Sequence, residues 1–399
     1  MSRYHSYILS ATAILENYKG EEPFVHFARK QFAANKKFGS RDRKIIASLC
    51  YSFFRVSYLF KSDPLQEQVL KGVFLCESND SPVLAALKPA WNEMIKWEVA
   101  KKLDYLSVRE DELFPFKEEL TRAIDKNAFA LSFLRQPLLF LRVRPGKTSK
   151  VYAALAAAGI PYEVKEDHCI VLQNATALDD VLRLNKDVVV QDFNSQKVFS
   201  GIQFENCLNG AGGVPEAWDC CAASGGKSLL LYDRLNGKVK LTVSDIRTSI
   251  LANLKARLQV AGVPIYKTFV TDLTQASPAG SQHFDIITCD APCTGSGTWS
   301  RTPEQLAYFN KKSIADYSRK QKKIAANASA LLKKNSLFIY ITCSVFREEN
   351  EDVAEYLQNE CGLALKSMQY LEGYQMQADT MFVAVFEKSL LDIEVAGYQ

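Results

Sequence analysis

Residues 216–228 read EAWDCCAASGGKS. A strand is predicted at Glu216–Cys220, and the small residues after it predict a tight turn into a helix. Such a turn lets the backbone approach a ligand closely, and the helix N-terminus offers N–H donors to a negative group. Gly226-Lys227-Ser228 also fits the end of a P-loop, but that motif needs glycine at position 221, where this chain has cysteine, so it is rejected. An ordinary strand-to-helix turn is the alternative.

Strands and helices alternate from about residue 214 onward. Further strands are predicted at Val239–Ser244, Tyr266–Val270, Phe284–Cys289 and Leu337–Thr342, and helices at Thr248–Ala261 and Ser313–Leu332. This alternation indicates an α/β fold with a parallel, doubly wound sheet. In such sheets ligands bind outside the carboxyl ends of the strands, and the motifs described below lie at those ends.

The first 200 residues have a different pattern. Helical periodicity follows Gly39-Ser40 and recurs over Pro82–Leu103 and Glu110–Asp125. Strands are then predicted at Leu138–Val143 and Cys169–Leu172, around a helix at Ser149–Ala158, which indicates a small α+β module. The predicted domains are 1–128 (helical), 129–200 (α+β) and 201–388 (doubly wound), with a C-terminal tail over 389–399.

The composition limits the classes of protein to which this chain can belong. The chain has 399 residues, 47% hydrophobic and 24% charged, which predicts two or three globular domains and excludes a disordered, collagen-like or disulfide-stapled chain. No run approaches the ~18 apolar residues of a membrane span, and no signal peptide is readable, so a cytoplasmic protein is expected. Ten scattered cysteines then predict free thiols, and the lack of Cys-x-x-Cys and of paired histidines predicts no metal site.

The net charge of +4 carries little information, but its distribution is uneven. Residues 1–61 hold eleven Lys/Arg against four Asp/Glu, and residues 301–334 hold nine against two. Local basic surfaces suit a polyanionic partner. Solvated helix faces are the alternative for both stretches.

Acidic and thiol side chains follow the later predicted strands. Asp245 ends the second strand, where nucleoside-binding sheets hold a ribose diol, and Asp272 follows the third. Asp290-Ala291-Pro292-Cys293-Thr294-Gly295-Ser296-Gly297 follows the fourth, and Thr342-Cys343-Ser344 ends the fifth. If these two strands are neighbours, Cys293 and Cys343 flank one cleft, which favours covalent chemistry over a disulfide. A buried, inert thiol is the alternative for Cys293, and Cys289 is assigned to the core.

Taken together, these segments resemble the RsmB (Fmu/Sun) family of S-adenosylmethionine-dependent RNA cytosine-5 methyltransferases. The family's loop Cys-Ala-Ala-Pro-Gly-Gly-Lys corresponds to Cys221-Ala222-Ala223-Ser224-Gly225-Gly226-Lys227, with Ser224 in place of proline. Its Asp-Ala-Pro-Cys, Arg-x-Pro-Glu, Thr-Cys-Ser and Glu-Asn-Glu elements match residues 290–293, 301–304, 342–344 and 349–351. The likeness covers residues 130–388, and Ser40-Arg41-Asp42-Arg43 is similar to a NusB-like RNA-binding domain that some members carry.

The resemblance implies a Rossmann-like class I methyltransferase fold, preceded by an RRM-like module. It implies methyl transfer from S-adenosylmethionine to carbon 5 of a cytosine, with ribosomal RNA as the expected substrate, through a covalent cysteine adduct. Cys343 is implied as the nucleophile, Cys293 as the group that helps to release the product, Asp290 as the partner of the base and Lys227 as the residue that orients Asp290. The cofactor is implied to lie on residues 221–227, Asp245, Asp272 and Asp290. A monomer that acts on RNA and not on DNA is expected.

Two other functions fit the same sheet. An amino-group methyltransferase typically carries Asn/Asp-Pro-Pro-Tyr/Phe after the fourth strand, and Asp290–Cys293 departs from that pattern. A non-catalytic, RNA-binding ribosome assembly factor could also have kept the fold. The presence of both Cys293 and Cys343 argues against such a non-catalytic factor, and an activity assay distinguishes it from an enzyme.

Overall fold

The computed structural model describes residues 2–204, 213–278 and 282–388. The chain separates into two compact units. The first unit is Met1–Gln136 with Thr298–Lys311, and the second unit is Pro137–Gly297 with Lys312–Gln399. The domain boundaries predicted after residues 128 and 200 stay predictions, and the predicted tail, 389–399, lies outside the described residues. Within the described ranges, no helix is both long enough and apolar enough to cross a membrane.

The helices and strands are numbered in chain order. The helices are α1 (Arg3–Asn17), α2 (Phe24–Ala34), α3 (Ser40–Val56), α4 (Leu65–Cys76), α5 (Pro82–Leu87), α6 (Pro89–Glu93), α7 (Val99–Tyr105), α8 (Lys126–Ser132), α9 (Thr148–Ala157), α10 (Phe193–Lys197), α11 (Gly226–Arg234), α12 (Thr248–Ala261), α13 (Pro303–Ala307), α14 (Lys312–Ser329) and α15 (Glu351–Asn359). The strands are β1 (Leu139–Val143), β2 (Glu163–Val164), β3 (Cys169–Leu172), β4 (Val188–Val190), β5 (Glu216–Asp219), β6 (Lys240–Asp245), β7 (Lys267–Val270), β8 (Phe284–Asp290), β9 (Leu332–Thr342), β10 (Leu363–Leu371) and β11 (Met381–Lys388).

The first unit is helical and packs around aromatic side chains. Helix α3 begins after Gly39, whose N–H donates to the Asp42 carboxylate at 2.9 Å. The ring of Phe54 on α3 lies 4.8 Å from Phe24 and 5.6 Å from Tyr18, centroid to centroid. Edge-to-face contacts of this kind add to the free energy gained by burial. The α1–α3 core is therefore built from the apolar face that the sequence predicted for α3.

Two predicted helical stretches in this unit are wrong as continuous helices. Residues 110–125 form only a short 3₁₀ turn at Glu110–Glu112, followed by turns. Pro115 lies inside this stretch, and proline both lacks an N–H donor and clashes with the preceding turn. Residues 82–103 form α5, α6 and the start of α7, and Lys88 leaves the helical region because Pro89 follows it.

The second unit contains two sheets. The smaller one has the order β2-β3-β1-β4, with antiparallel neighbours, and α9 packs on it through Val151 and Leu155. This is the small α+β module that the sequence predicted. Its strands are apolar on both faces: Leu141 and Ile170 pack on the side of α9, whereas Phe140 and Val171 pack against Phe193 on the other side.

The larger sheet has the order β10-β11-β9-β8-β5-β6-β7. Strands β5 to β9 are parallel, whereas β11 runs antiparallel to both β9 and β10. Helices α11 and α12 pack on one face, and α14 and α15 pack on the other. The predicted doubly wound class I fold is confirmed, with an antiparallel edge that the sequence analysis did not specify. Chain order reverses between β5 and β8, which places the expected ligand crevice at their carboxyl ends.

Candidate active site

The loop between β5 and α11 is shaped by backbone conformations that few residues adopt. Ala223 has φ +44° and Gly225 has φ +81°. A Cβ on Gly225 would also lie 3.0 Å from Cγ of Leu254, so this position favours glycine on both counts. The exposed Ser224, which replaces the proline of the resembled family, accepts a hydrogen bond of 3.1 Å from the Arg257 guanidinium. That contact partly replaces the stiffness that proline would give.

Lys227 and Asp290 form an ion pair at the centre of the crevice. The Lys227 Nζ lies 2.6 Å from Oδ2 of Asp290, with the side chains 13% and 26% exposed. Burial alone would lower the pKa of Lys227, but the Asp290 carboxylate and the Cys343 sulfur more than offset it and raise the pKa. Lys227 therefore stays a cation, and its charge fixes one oxygen of Asp290.

The two predicted reactive thiols face each other. Strands β8 and β9 are adjacent and parallel, with Asp290 opposite Ile341. The Sγ atoms of Cys293 and Cys343 lie 3.4 Å apart, and both side chains are half-buried. The hydrogen bond to the Cys343 sulfur, together with burial, raises the pKa of Cys293 well above its ordinary value. Cys293 thus holds its proton more firmly than an ordinary thiol.

Gly297 joins the loops that carry the two thiols. Its N–H donates to the Cys343 carbonyl at 2.8 Å, and its own carbonyl accepts from the Thr380 N–H at 2.9 Å. A Cβ at this position would lie 2.0 Å from the Thr380 carbonyl oxygen, which is backbone and cannot give way. The last glycine of the 290–297 segment is therefore required by close packing.

A buried carboxylate, Glu349, holds the same two loops from the opposite side. It accepts hydrogen bonds from the Thr294 N–H at 2.9 Å and from the Thr294 hydroxyl at 2.5 Å. The Ser344 hydroxyl and the Gln321 amide, the latter at 2.9 Å, donate to it as well. Thr294 follows Cys293 and Ser344 follows Cys343, so a single fully buried carboxylate fixes both cysteine loops.

The sequence matched Glu349-Asn350-Glu351 to a family element but gave no role for Glu349, and it did not single out Gln321 as a site residue. Gln321 lies on α14, where its amide also donates to the Pro292 carbonyl at 3.0 Å. Asn350 completes the support, because its amide donates to the Ser344 carbonyl at 2.8 Å. The only available signal for Gln321 was a polar residue on the apolar face of a predicted helix.

The two predicted acids after β6 and β7 differ in their surroundings. Asp245 accepts hydrogen bonds from the Ala223 N–H at 3.0 Å and from the Arg247 N–H at 2.9 Å, so it adjoins the β5–α11 loop. Burial opposes its ionisation, but the hydrogen bonds from Arg247 and Ala223 more than offset this and lower its pKa. Asp272 instead accepts from the N–H and hydroxyl of Thr274, which closes a local turn. The structure therefore brings Asp245 to the loop and shows Asp272 engaged in a turn.

Asp219, the last residue of β5, lies fully buried beneath the loop. The Ser228 hydroxyl donates to its Oδ2 at 2.5 Å, whereas Oδ1 has no hydrogen-bond partner among the described residues. Burial raises its pKa to about 7, against the opposing effect of Ser228. Because the carboxyl group binds its proton more tightly in the folded state, its stabilising contribution is complete below an unfolded pKa of ~3.9 and is lost as the pH rises through 7.

Asp219→Asn is therefore expected to flatten the dependence of stability on pH. Relative to the wild type, the variant should gain at most about 4 kcal/mol of unfolding free energy between pH 4 and pH 8, since one pKa unit is worth ~1.4 kcal/mol. Urea unfolding at several pH values measures the difference. Asp180→Asn, at an exposed carboxylate, is the control and should leave the profile unchanged. Parallel profiles for wild type and Asp219→Asn would contradict the assignment.

Comparison with known proteins finds a family that the segment carrying this site resembles. Residues 215–389 match the family model described as "16S rRNA methyltransferase RsmB/F". The ribosomal RNA small subunit methyltransferase F of Pectobacterium atrosepticum is 30% identical over 140 residues, which is 35% of this chain and 29% of that protein. The probable ribosomal RNA small subunit methyltransferase B of Bacillus subtilis is 27% identical over 223 residues, 54% of this chain and 48% of that protein. The matches thus span half or less of these relatives.

Solved structures agree on the fold. The crystal structure of PH0851 superposes with a TM-score of 0.70 at 20% identity and covers 96% of this chain and 98% of that one. A methyltransferase homolog protein from Pyrococcus horikoshii gives a TM-score of 0.53 at 17% identity over 72% of this chain and 98% of that one. The family match covers the segment that carries the loop, the ion pair and the thiols. Residues 215–389 are therefore similar to the 16S rRNA methyltransferase RsmB/F family, and the solved structures show the same fold.

Proposed function

We propose that this protein is an S-adenosylmethionine-dependent RNA cytosine-5 methyltransferase that acts on ribosomal RNA. One observation carries the proposal: the Cys293 and Cys343 sulfurs lie 3.4 Å apart, beside the Lys227–Asp290 ion pair. Carbon 5 of cytosine is a poor nucleophile, and addition of a thiolate at carbon 6 converts the ring into an enamine that is nucleophilic at carbon 5. The names of the curated relatives support ribosomal RNA as the substrate.

The residues present fit S-adenosylmethionine. The loop is built from small residues, Ala222, Ala223, Gly225 and Gly226, so no bulky side chain of its own covers its backbone. Asp245 is an ionised acceptor at the end of β6, suited to a ribose diol, and it adjoins the same loop through Ala223. We assign the cofactor to residues 221–227 and Asp245, with Asp272 and Asp290 as further candidates. When bound, the cofactor supplies an electrophilic methyl group on its sulfonium.

The protein's own residues account for the rest of the chemistry. The Cys343 thiolate adds to carbon 6 of the cytosine and forms a thioether bond. The Asp290 carboxylate accepts a hydrogen bond from the exocyclic amine and orients the base, and the Lys227 ammonium beside it offsets negative charge as the ring is attacked. Lys227 holds Asp290 in place and favours the anionic sulfur of Cys343, since a neighbouring cation stabilises a thiolate.

Product release uses the second thiol. After carbon 5 has received the methyl group, Cys293, whose sulfur lies 3.4 Å from that of Cys343, gives its proton to solvent and becomes the base. The Cys293 thiolate then takes the proton from carbon 5. The electron pair of that carbon–hydrogen bond re-forms the 5,6 double bond, and the Cys343–carbon 6 bond breaks. Cys343 leaves as a thiolate, and the methylated base is free.

RNA binding near this site is supported by helix α14. Its buried face carries Gln321, which reaches Glu349, whereas Arg319, Lys320 and Lys323 are exposed on the same helix. Exposed cations beside a crevice suit the phosphates of a single strand whose base enters it. We also expect the protein to work as a cytoplasmic monomer.

Lys320→Gln/Lys323→Gln is expected to weaken RNA binding and to reduce its salt dependence. If each lysine neutralises one phosphate, the slope of log K against log salt should become shallower by about 1.4, or ~0.7 per contact for a single strand. Fluorescence anisotropy with labelled RNA at several salt concentrations measures both quantities. Lys238→Gln/Lys255→Gln, which removes the same charge from exposed positions elsewhere in the second unit, is the matched control. An equal slope for both double variants would remove α14 from the RNA-binding surface.

Mass spectrometry tests the proposed function directly. Total RNA from cells that lack this gene is incubated with the purified full-length protein and S-adenosylmethionine, then digested, and 5-methylcytidine is quantified. A gain that requires Cys343 supports the proposal. A gain in methyl groups on exocyclic amines would instead favour an amino-group methyltransferase. No gain on free RNA or on small ribosomal subunits, together with no cofactor binding, would favour the RNA-binding assembly factor.

A further inference from the structure

A second group of thiols lies at the crevice, separate from Cys293 and Cys343. Cys220, Cys221 and Cys289 have Sγ atoms that all lie within 4.8 Å of one another. Strands β5 and β8 are paired in parallel, with Asp219 opposite Thr288. Cys220 follows Asp219 and Cys289 follows Thr288, so these two cysteines are neighbours across the strand pair. The Cys220 N–H donates to the Thr288 carbonyl at 3.0 Å, which fixes this juxtaposition in the backbone.

The spacing of the three sulfurs suits a metal ion. Zinc–sulfur bonds are ~2.3 Å long, so two thiolates on a tetrahedral zinc ion lie about 3.8 Å apart, a separation that these side chains reach with small rotations. Soft thiolate donors select Cu(I) and Zn(II) over harder cations. Cys220 and Cys289 are buried, whereas Cys221 is half-buried, so an ion would enter from the Cys221 side.

We propose that Cys220, Cys221 and Cys289 form a binding site for one thiophilic, closed-shell cation of the Zn(II), Cd(II) or Cu(I) type, held by three thiolates. The site is distinct from the Cys293–Cys343 pair. It joins the carboxyl ends of β5 and β8, so an ion bound there links the start of the 221–227 loop to the residue before Asp290. This inference does not depend on the proposed methyl transfer.

Cadmium titration of the full-length protein, reduced and under anaerobic conditions, tests the site. The wild type is expected to bind one Cd(II) with a new ultraviolet thiolate-to-metal band and to unfold at a higher temperature when loaded. Cys293→Ala/Cys343→Ala should retain the band and the affinity. Cys289→Ala should bind at least about tenfold more weakly, because it removes a direct ligand.

Two outcomes would overturn the proposal. If Cys293→Ala/Cys343→Ala loses the band while Cys289→Ala keeps it, the ion lies on the catalytic pair instead. If the wild type shows no saturable binding of one ion, the three thiols are packing residues only. If Cys289→Ala does not fold, as judged by far-ultraviolet circular dichroism, Cys221→Ala replaces it in the comparison with the wild type. Cys221 is only half-buried, so its removal disturbs the core less. Retention of full affinity in Cys221→Ala would equally count against the three-thiolate site.

Discussion

Cys343→Ala is expected to abolish methyl transfer, by at least about 10³-fold, whereas Cys293→Ala should allow attack and stall before release. The first variant lacks the sulfur that adds to carbon 6. The second keeps that sulfur but lacks the thiolate that takes the proton from carbon 5, so the thioether persists. A denaturing gel with labelled RNA and S-adenosylmethionine should show protein-bound RNA with Cys293→Ala and none with Cys343→Ala.

The assignment of the two roles follows the resemblance, in which Cys343 matches the thiol of the Thr-Cys-Ser element and Cys293 that of the Asp-Ala-Pro-Cys element. The geometry of the pair is symmetric in this respect, because either sulfur can donate to the other. Cys361→Ala is the matched control, since it removes a half-buried thiol on the loop between α15 and β10. It should methylate normally and form no stable adduct. An adduct with Cys343→Ala and none with Cys293→Ala would exchange the two roles.

Much of the fold could be predicted because parallel strands leave a strong local pattern. The β-forming residues of β6 and β8 and the turn residues after β5 and β8 each lie within a few consecutive positions. Strand β9 was predicted to begin at Leu337 but begins at Leu332. The intervening residues are polar, and Leu332 is held in the sheet by pairing with Phe284, a long-range contact that no local pattern reports.

The site residues also fall into those that local sequence patterns predicted and those that they did not. Lys227, Asp290, Cys293 and Cys343 could be predicted because each follows a strand, and the carboxyl ends of neighbouring parallel strands meet at one edge. Gln321 could not be predicted, because its partners Pro292 and Glu349 come from other segments. The thiol cluster of Cys220, Cys221 and Cys289 was missed for the same reason: metal-ligand spacing is a local signal, and Cys289 reaches the other two only through strand pairing. Cys289 was correctly assigned to the core.

Glu349→Ala is expected to lower both stability and activity sharply. Four donors from Thr294, Ser344 and Gln321 lose their common acceptor in a fully buried position. Each unsatisfied buried donor costs ~1–3 kcal/mol, and partial rearrangement should leave a net loss of about 3–5 kcal/mol in the free energy of unfolding. Because the same carboxylate fixes the loops of Cys293 and Cys343, single-turnover methyl transfer should slow at RNA concentrations that saturate the variant.

The neighbouring residue supplies a close control. Glu348 is exposed, so Glu348→Ala should shift the free energy of unfolding by no more than about 0.5 kcal/mol and leave the single-turnover rate unchanged. Gln321→Ala removes one of the four donors and should fall between the two, at about 1–3 kcal/mol. Urea unfolding ranks the three variants, and adduct formation in a Cys293→Ala background reports whether the attack step itself has slowed. If Glu349→Ala matches Glu348→Ala in both measurements, the two cysteine loops are held by Gly297 and the strands alone, and the buried carboxylate has no positioning role.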